Sequence, residues 1–240
     1  MHILLTILFI GLMYVCVIIN VTIFLICYPF ISNYKLVGFL TPKWCKAVLF
    51  LLKTINKVSY QVIDLEKMPD EPCIIACKHQ SMWDTLIFHL LVKAPAYVYK
   101  KELHKVPVYG IYIKQMKMIP IDRSASGSAL RDMIKKSKDL IHTQKRKLVI
   151  FPQGTRVPIG RSIEDYPYQI GVAALYSSLN VKVVPVALNS GKFWGKGCFI
   201  KNKGKIKLQI LDPIEPGLSK KEFMKVLEEK IETASKELVK

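Results

Sequence analysis

The sequence predicts an α/β protein in which helices flank a mostly parallel central sheet, with a hydrophobic helical segment added at the N-terminus. Two observations predict this fold class. After Lys57, short apolar runs alternate with longer stretches of helical periodicity, the pattern of strand–helix–strand units. Before that point, residues 1–34 contain no Lys, Arg, Asp or Glu, although the chain carries a net charge of +18. A chain of 240 residues can form one sizeable core and an appendage.

The first element is the apolar run from Ile3 to Ile31. It exceeds the roughly 20 residues that a helix needs to cross the hydrocarbon layer. A cleaved signal peptide is disfavoured, because no Lys or Arg precedes the run and its apolar part exceeds the usual length of about 7–15 residues. We therefore predict membrane insertion, with a buried core helix as the alternative. Lysines follow the run, so the positive-inside rule predicts a cytoplasmic body.

A second helix is predicted from Pro42 to Lys57, where Trp44 and three aliphatic residues fall at helical spacing and lysines occupy much of the remaining face. A basic helix with an aromatic anchor suits the bilayer interface. An ordinary amphipathic helix packed on its own domain would show the same pattern. The predicted organisation is a membrane anchor over residues 1–57, made of a hydrophobic and a basic amphipathic helix, and one folded domain over residues 58–240.

Seven strands and five helices are predicted in the folded domain. The predicted strands are Gln61–Leu65, Cys73–Lys78, Ala96–Tyr99, Met118–Ile121, Leu148–Phe151, Val181–Leu188 and Ile206–Leu211. The predicted helices are Trp83–Val92, Val108–Gln115, Ser128–Thr143, Tyr168–Ser177 and Lys220–Leu238. In sheets of this kind the ligand crevice lies beyond the carboxyl ends of the strands, so polar residues that directly follow strands are the candidates for a site.

His79 follows the second predicted strand and precedes the first predicted helix of the domain. Ser81, three residues before Asp84, forms a capping-box pattern with the acidic residue in the first helical turn. Residues five apart on one helix are separated by roughly 500° and do not share a face. If His79 lies in the turn before the helix, its imidazole can reach Asp84. The carboxylate can then fix one tautomer and leave the other ring nitrogen as a base. The alternative is a helix-terminal acid beside an unrelated surface histidine.

Such a pair needs no serine or cysteine nucleophile where the substrate supplies its own hydroxyl. Six cysteines are scattered along the chain, without the paired spacing of a zinc site and without a disulfide framework. Cys73 and Cys77 are four apart on a predicted strand and should share one face. Reduced thiols in a cytosol-facing protein are the simplest account of this cysteine pattern.

The segment Phe151–Arg156 also follows a predicted strand. Pro152 ends the strand because it lacks a backbone donor, and Gly154 lets the backbone turn tightly or approach a ligand closely. Thr155 and Arg156 offer a hydroxyl and a bidentate guanidinium, a combination suited to phosphate. The alternative is an arginine that lies on the surface or pairs with a carboxylate.

The segment Ile119–Arg123 ends another predicted strand with a guanidinium, and Asp122 beside Arg123 makes a simple ion pair the alternative there. The net charge of +18 predicts an anionic partner such as nucleic acid, anionic lipid or a phosphorylated substrate. No nucleic-acid-binding motif is present, and the apolar N-terminus argues against a nucleic-acid partner.

Four segments of this chain resemble, in order, the four sequence blocks of the glycerolipid acyltransferases. These segments are His79-x4-Asp84, Ile119–Arg123, Phe151–Arg156 and Val184-Pro185-Val186. The match covers roughly residues 58–215, and the ordered set is more specific than any single block. The small size and hydrophobic N-terminus resemble bacterial members that act on 1-acyl-sn-glycerol 3-phosphate. The resemblance implies transfer of a fatty acyl group from an acyl thioester to the sn-2 hydroxyl, giving phosphatidic acid in phospholipid biosynthesis.

The resemblance also implies a role for individual residues. It makes His79 the general base and Asp84 its orienting partner. The residues that it implies for binding the acceptor phosphate are Arg123, Gly154, Thr155 and Arg156, with Lys100 and Lys101 from a commonly basic segment. Val184–Val186 would shape the acyl-donor region or the core. In two places the chain departs from the family pattern. Gln153 replaces the usual Glu and loses its charge, and Lys78 stands where Asn often precedes the histidine. A cation beside His79 would favour the neutral imidazole.

No metal or organic cofactor is implied by this resemblance. The implied partners are lysophosphatidic acid, a thioester of acyl carrier protein or coenzyme A, and membrane lipid, with no nucleic acid. The implied location is the bacterial inner membrane, with the catalytic domain on the cytoplasmic side. Other acceptors stay open, namely glycerol 3-phosphate, another lysophospholipid or a lyso-aminolipid. A non-catalytic membrane protein that binds anionic lipid is the alternative from another class.

Overall fold

The computed structural model describes residues 2–27, 30, 33–106, 109–122, 126–197, 199 and 201–240. Within these ranges the chain forms the predicted α/β architecture, a mostly parallel sheet with helices on both faces. The strands are β1 (Val58–Ile63), β2 (Ile74–Cys77), β3 (Ala96–Lys100), β4 (Ile119–Ile121), β5 (Leu148–Ile150), β6 (Val183–Leu188) and β7 (Gly204–Ile210). The α-helices are α1 (His2–Cys27), α2 (Asn33–Ile55), α3 (Trp83–Leu91), α4 (Tyr109–Gln115), α5 (Ser126–Lys138), α6 (Ile170–Leu179), α7 (Gly191–Trp194) and α8 (Lys220–Val239).

The sheet has the strand order β1-β7-β6-β2-β5-β3-β4, and every neighbouring pair is parallel except β6 and β7. β2 is central: Ile74 lies opposite Leu148 of β5 and Val183 of β6. Because β2, β5 and β6 run in the same direction, their carboxyl ends meet at one edge of the sheet. The segments that follow these three strands are therefore neighbours in space, although they are far apart in sequence.

Two apolar layers cover the sheet. The alternation of side chains along β2 divides them, since Cys73, Ile75 and Cys77 face the layer that contains α2 and α3. Ile74 and Ala76 face the opposite layer, which contains residues of α5, α6 and α8. The predicted shared face of Cys73 and Cys77 is confirmed. Burial on both faces explains why β2 is a continuous apolar run rather than an alternating one.

All seven predicted strands are present with shifted boundaries, and the short helix α7 was not predicted. β1 begins at Val58 rather than Gln61, because its register with β7 starts at the pair Val58 and Gly204. α2 begins at Asn33, so Pro42 lies inside the helix rather than at its start. Pro42 removes one backbone donor from α2, and the preceding Thr41 hydroxyl donates to the Val37 carbonyl one turn earlier, at 2.7 Å. The amphipathic helix is therefore longer than predicted.

The helix α1 corresponds to the predicted apolar run and ends at Cys27. Within the described ranges it is the one helix long and apolar enough to cross a membrane by length and composition, and most of its side chains are not buried. It packs along α2. Near its N-terminus, the buried Phe9 ring contacts Trp194 of α7 edge to face, with centroids 5.6 Å apart. The Asn56 side-chain amide lies 3.5 Å from the Thr6 hydroxyl. One side of α1 therefore packs on the folded body.

Candidate active site

His79 lies in the turn between β2 and α3, and its ring contacts Asp84 as the spacing predicts. The distance from Nδ1 of His79 to Oδ2 of Asp84 is 2.9 Å. The Asp84 side chain is fully buried, whereas that of His79 is 14% exposed. The turn folds the imidazole back over the first turn of α3. The contact could not form on a continuous helix, where the two side chains would lie on different faces.

Four donors surround the Asp84 carboxylate. Its Oδ2 accepts hydrogen bonds from the backbone N–H of Gln80 at 2.7 Å and of Ser81 at 2.8 Å, in addition to the His79 contact. Its Oδ1 accepts a hydrogen bond from the Ser190 hydroxyl at 2.5 Å. A carboxylate can only accept, so Nδ1 of His79 carries the hydrogen. In the neutral ring the Nε2 atom then keeps its lone pair and can act as a base.

The predicted capping box at Ser81 is half formed. Asp84 accepts the Ser81 backbone N–H, but the Ser81 hydroxyl accepts from the Trp83 N–H at 3.1 Å instead of the Asp84 N–H. The reason is that the chain wraps around the buried carboxylate before α3 begins. This tight turn brings the Ser81 hydroxyl to the first helical residue rather than the second.

The segment Phe151–Arg156 is joined directly to His79. The rings of Phe151 and His79 stack with centroids 3.9 Å apart, and the Val157 N–H donates to the His79 carbonyl at 2.7 Å. Gly154 has φ +66°, a left-handed conformation that glycine adopts without strain, and its N–H donates to the Phe151 carbonyl at 2.8 Å. This turn brings Arg156 back toward the end of β2.

One cavity collects most of the predicted site residues. It has a volume of about 1240 Å³, and its lining includes His79, Lys100, Gly154, Thr155 and Arg156. Asp84 lies behind His79 and outside the lining. Most of the other walls are apolar or aromatic side chains from the helices α1 to α6 and from β3 and β4. Cationic and hydroxyl side chains and the imidazole therefore line the same cavity, whose other walls are largely apolar.

Lys101, one of the predicted phosphate-binding residues, does not line this cavity, and another lies outside the described residues. Lys101 is 63% exposed, and its Nζ lies 3.3 Å from Oδ2 of Asp122. It does not line the cavity, because β3 ends at Lys100 and the chain turns at once into the short 3₁₀ segment Lys101–Lys105. Arg123 lies outside the described residues.

Lys78 and Gln153 depart from the family pattern, and both have hydrogen-bond partners in the structure. Lys78 points away from the imidazole, and its Nζ lies 2.5 and 2.6 Å from the two carboxylate oxygens of Glu232 on α8. The Tyr168 hydroxyl donates to the same carboxylate at 3.0 Å. Lys78 therefore ties α8 to the end of β2 instead of acting beside the ring. The buried Gln153 donates from Nε2 to the Tyr166 carbonyl at 2.9 Å, which a carboxylate cannot do.

Cys77, the last residue of β2, is fully buried beside the His79 turn. Burial, followed by the nearby Asp84 charge, raises the pKa of Cys77 well above its ordinary value, so the thiol next to this turn is not a thiolate nucleophile. The five cysteines in the described part of the chain are unbridged. Among the described residues no cluster of three or more His, Cys, Asp or Glu side chains could hold a metal ion.

Val184 and Val186 are fully buried in the core, and Val186 lies opposite Cys77 in the sheet. Ser190, just after the carboxyl end of this strand, was not predicted as a site residue. His79 was identified as a polar residue that directly follows a strand, and the same rule could have identified Ser190.

His89 was not predicted as a site residue either. It lines the cavity, and its Nε2 lies 3.0 Å from the Tyr112 hydroxyl. Burial, with a smaller effect of Arg146, lowers its pKa to about 4.

The sequence of this chain is similar to known enzymes over most of its length. The Acyltransferase family profile matches residues 59–189. A 1-acyl-sn-glycerol-3-phosphate acyltransferase of Pseudomonas aeruginosa is 32% identical over 182 residues, which cover 76% of this chain and 68% of that relative. The protein of the same name from Bacillus subtilis is 30% identical over 204 residues, which cover 82% of this chain and 96% of that relative.

The fold has a counterpart among solved structures. The crystal structure of the 1-acyl-sn-glycerophosphate (LPA) acyltransferase from Thermotoga maritima aligns with a TM-score of 0.80 at 25% sequence identity. The alignment covers 99% of this chain and 95% of that one. The similarity therefore includes the N-terminal helices as well as the sheet and the residues around His79.

Proposed function

This chain is a member of the acyltransferase family, and we propose on that basis that it moves a fatty acyl group from an acyl thioester to the sn-2 hydroxyl of 1-acyl-sn-glycerol 3-phosphate. The product would be phosphatidic acid, an intermediate of phospholipid biosynthesis. The observation that carries the proposal is the His79–Asp84 pair, at 2.9 Å, on a cavity that also bears Arg156 and Lys100. The names of the Pseudomonas, Bacillus and Thermotoga relatives support the same acceptor.

In the proposed reaction His79 is the general base and Asp84 orients it. Nε2 of His79 takes the proton of the sn-2 hydroxyl while its oxygen attacks the thioester carbonyl carbon. The carbon–sulfur bond breaks as the new ester forms, and the imidazolium returns the proton to the departing thiolate. The products are the diacyl phosphate and the free thiol. No covalent acyl-enzyme is needed, because the substrate hydroxyl is the nucleophile.

Arg156 is the proposed anchor for the acceptor phosphate, with Thr155 and Gly154 next to it in the loop and Lys100 on the same cavity. A guanidinium binds phosphate through two parallel N–H donors, which fixes direction as well as distance. An anchored acceptor holds its hydroxyl near the imidazole, and such positioning can lower a barrier by several kcal/mol. The family pattern adds Arg123 to this set, and that role stays a prediction. The apolar interior of the cavity suits a fatty acyl chain.

Membrane attachment through α1 and α2 is part of the proposal. The support is that α1 has no charged side chain and exposes many of its large apolar residues, while lysines of α2 such as Lys43, Lys46 and Lys53 are exposed. Following the positive-inside rule, we place the catalytic domain on the cytoplasmic side of a bacterial inner membrane, within reach of an acyl carrier protein or coenzyme A thioester. No cofactor is needed for this chemistry.

The test is an acyl-transfer assay on the purified full chain with labelled lysophosphatidic acid and both thioester donors. We expect labelled phosphatidic acid from the wild type. His79→Ala should lower turnover by about 10²–10⁴-fold, the usual contribution of a positioned general base. His142→Ala, at an exposed position outside the cavity lining, is the control and should keep full turnover.

Three results would overturn parts of this proposal. Turnover of glycerol 3-phosphate or an uncharged lysolipid in preference to lysophosphatidic acid would reject the acceptor. Full activity of His79→Ala would remove His79 from the mechanism. Salt-sensitive binding to anionic vesicles with no thioester consumed would indicate a non-catalytic lipid-binding protein.

A further inference from the structure

The Asp84 carboxylate is buried without a lysine or arginine partner among the described residues. The hydrogen bonds that it accepts must therefore stabilise its negative charge. Oδ2 has three donors, all from residues 79–81 at the start of the same turn. In the described part of the chain, the donor to Oδ1 is the Ser190 hydroxyl, at 2.5 Å. Ser190 is 106 residues away in sequence and is itself fully buried. The two oxygens of one carboxylate are thus held by two different parts of the fold.

The turn that carries Ser190 is fixed on several sides. The Gly191 N–H donates to the Gln80 side-chain oxygen at 3.0 Å, next to the His79 turn. The preceding Asn189 donates to the Leu238 carbonyl at 2.6 Å and accepts from the Lys207 N–H at 2.8 Å. These contacts join the Ser190 turn to α8, β7 and the His79 turn. The serine hydroxyl is therefore placed by the fold before any substrate binds.

A Cβ atom on Gly191 would lie 3.0 Å from the Cβ of Gln80 and 3.1 Å from Cγ1 of Ile159. Both distances are too short for ordinary contact, so the Ser190 turn and the His79 turn are in close van der Waals contact. The close approach is what brings the hydroxyl to 2.5 Å from Oδ1.

We propose that Ser190 is a positioning residue for the reaction: its hydroxyl fixes the plane of the Asp84 carboxylate and so holds His79 in the orientation and tautomer of a base. The inference rests on the proposed function. Without a donor on Oδ1, only the contacts at Oδ2 oppose rotation of the carboxylate about its terminal bond, and a buried acceptor is left unsatisfied. The backbone donors on Oδ2 alone do not define the direction in which Oδ2 meets Nδ1. Ser190 touches neither substrate nor imidazole in this role and acts through Asp84.

The experiment compares turnover and lysolipid KM for Ser190→Ala and Ser190→Thr. We expect Ser190→Ala to lower kcat by about 10–100-fold, the usual effect of losing a hydrogen bond to a charged group. KM should stay within about threefold, because the phosphate site is untouched. Ser190→Thr keeps the hydroxyl and should recover most of the activity. Ser137→Ala and Ser235→Ala remove buried hydroxyls that have no hydrogen-bond partner in the described structure, and both should keep wild-type turnover.

A double variant separates positioning from a general structural role. If Ser190 acts through Asp84, adding Ser190→Ala to Asp84→Asn should lower kcat by less than about threefold further. If the role of Ser190 is only structural, kcat of the double variant should fall by the product of the two single-variant factors. That result would overturn the proposal. Unchanged kcat in Ser190→Ala would overturn it too. If Ser190→Thr does not fold, the comparison of the double variant with the two single variants decides between the positioning role and the structural role.

A spectroscopic readout keeps this inference distinct from the proposed function. The chain has five histidines, so ¹⁵N-histidine labelling gives few signals. The Nδ1–H signal of His79, assigned by its loss in His79→Ala, should shift in Ser190→Ala and stay in place in Ser137→Ala. An unshifted signal would overturn the Ser190 inference. Absence of wild-type turnover on every acceptor would instead reject the proposed function.

Discussion

Single residues at this site are held by contacts that differ in kind. Asp84 is fully buried and accepts four hydrogen bonds, so its position is determined by the fold. His79 is tied at Nδ1 and stacked on Phe151, and the imidazole keeps one edge toward the cavity. Arg156 lines the cavity from a loop rather than from a strand or helix. The proposed base is therefore fixed in advance, whereas the proposed phosphate anchor can adjust to its ligand.

Replacement of Arg156 should act on binding more than on chemistry. We expect Arg156→Ala to raise the KM for lysophosphatidic acid by about 10–100-fold with a smaller change in kcat, since it removes charge-assisted hydrogen bonds to phosphate. Steady-state kinetics of the purified protein would measure both constants. Arg161→Ala is the matched control, because Arg161 is exposed in the same loop and outside the cavity lining. An unchanged KM would contradict the phosphate role of Arg156.

His89 should make the stability of the protein depend on pH. Burial lowers its pKa to about 4 from 6.5, so the folded state keeps it neutral. Between these two pH values the unfolded chain binds more protons. The contribution of His89 to stability is therefore complete above pH 6.5 and is lost as the pH falls toward 4. The full effect is on the order of 3 kcal/mol at about 1.4 kcal/mol per pH unit.

Denaturant unfolding between pH 4 and pH 8 would measure this dependence. His89→Gln should show a smaller loss of unfolding free energy on acidification than the wild type. His142→Gln, at an exposed position, should follow the wild-type curve. Identical pH curves for wild type and His89→Gln would contradict the assignment.

At the level of elements, the site is built from the segments that follow three parallel strands. β2 is followed by the His79 turn, β5 by the Phe151–Arg156 loop and β6 by the Ser190 turn. The Lys78 N–H donates to the Val186 carbonyl, and the Val157 N–H to the His79 carbonyl, so these segments are hydrogen-bonded to one another. The loop after β5 is long, and Gln153 fastens it to Tyr166. Its conformation therefore depends on a side chain as well as on the backbone.

Replacing Gln153 by glutamate should weaken this loop. Gln153 is 5% exposed and donates to the Tyr166 carbonyl, whereas a glutamate would place a buried negative charge against that carbonyl oxygen. We expect a loss of about 1–3 kcal/mol in the free energy of unfolding. Gln169→Glu is the matched control, because Gln169 makes the same kind of bond to the Pro167 carbonyl in an exposed position. It should change stability by about 0.5 kcal/mol or less. Equal stability of Gln153→Glu and the wild type would contradict this role.

At the scale of the whole molecule, the N-terminal helices and the sheet share one cavity. Val21 and Phe24 of α1 and Trp44 of α2 line it together with His79. Residue 57 is the predicted boundary between the membrane anchor and the folded domain. Residues on both sides of this boundary therefore line the same cavity. The proposed acceptor is itself a lipid, and apolar side chains of α1 and α2 form part of the cavity that would bind it. Membrane attachment and substrate delivery would then depend on the same two helices.

Charges on the exposed face of α1 should release the protein from membranes. Ile18 is 63% exposed, and Leu8 is 51% exposed, so neither is needed for the core. We expect Leu8→Lys/Ile18→Lys to lower the membrane-bound fraction at least tenfold in vesicle sedimentation, because lysine is costly in hydrocarbon. Leu218→Lys, on a loop before α8, is the control and should stay bound. Full retention of the double variant would argue against attachment through α1.

The sequence by itself determined the fold class, the seven strands and the apolar N-terminal helix, and it left the pairing of His79 with Asp84 as one of two alternatives. These follow from local patterns, namely hydrophobic periodicity and the spacing of residues within one turn. Only the tertiary structure decided which distant segments meet. It brought Ser190 to Asp84, turned Lys78 toward Glu232, excluded Lys101 from the cavity and placed α1 on its wall. The physical reason is that strand order and side-chain direction arise from packing over the whole chain, which no local pattern records.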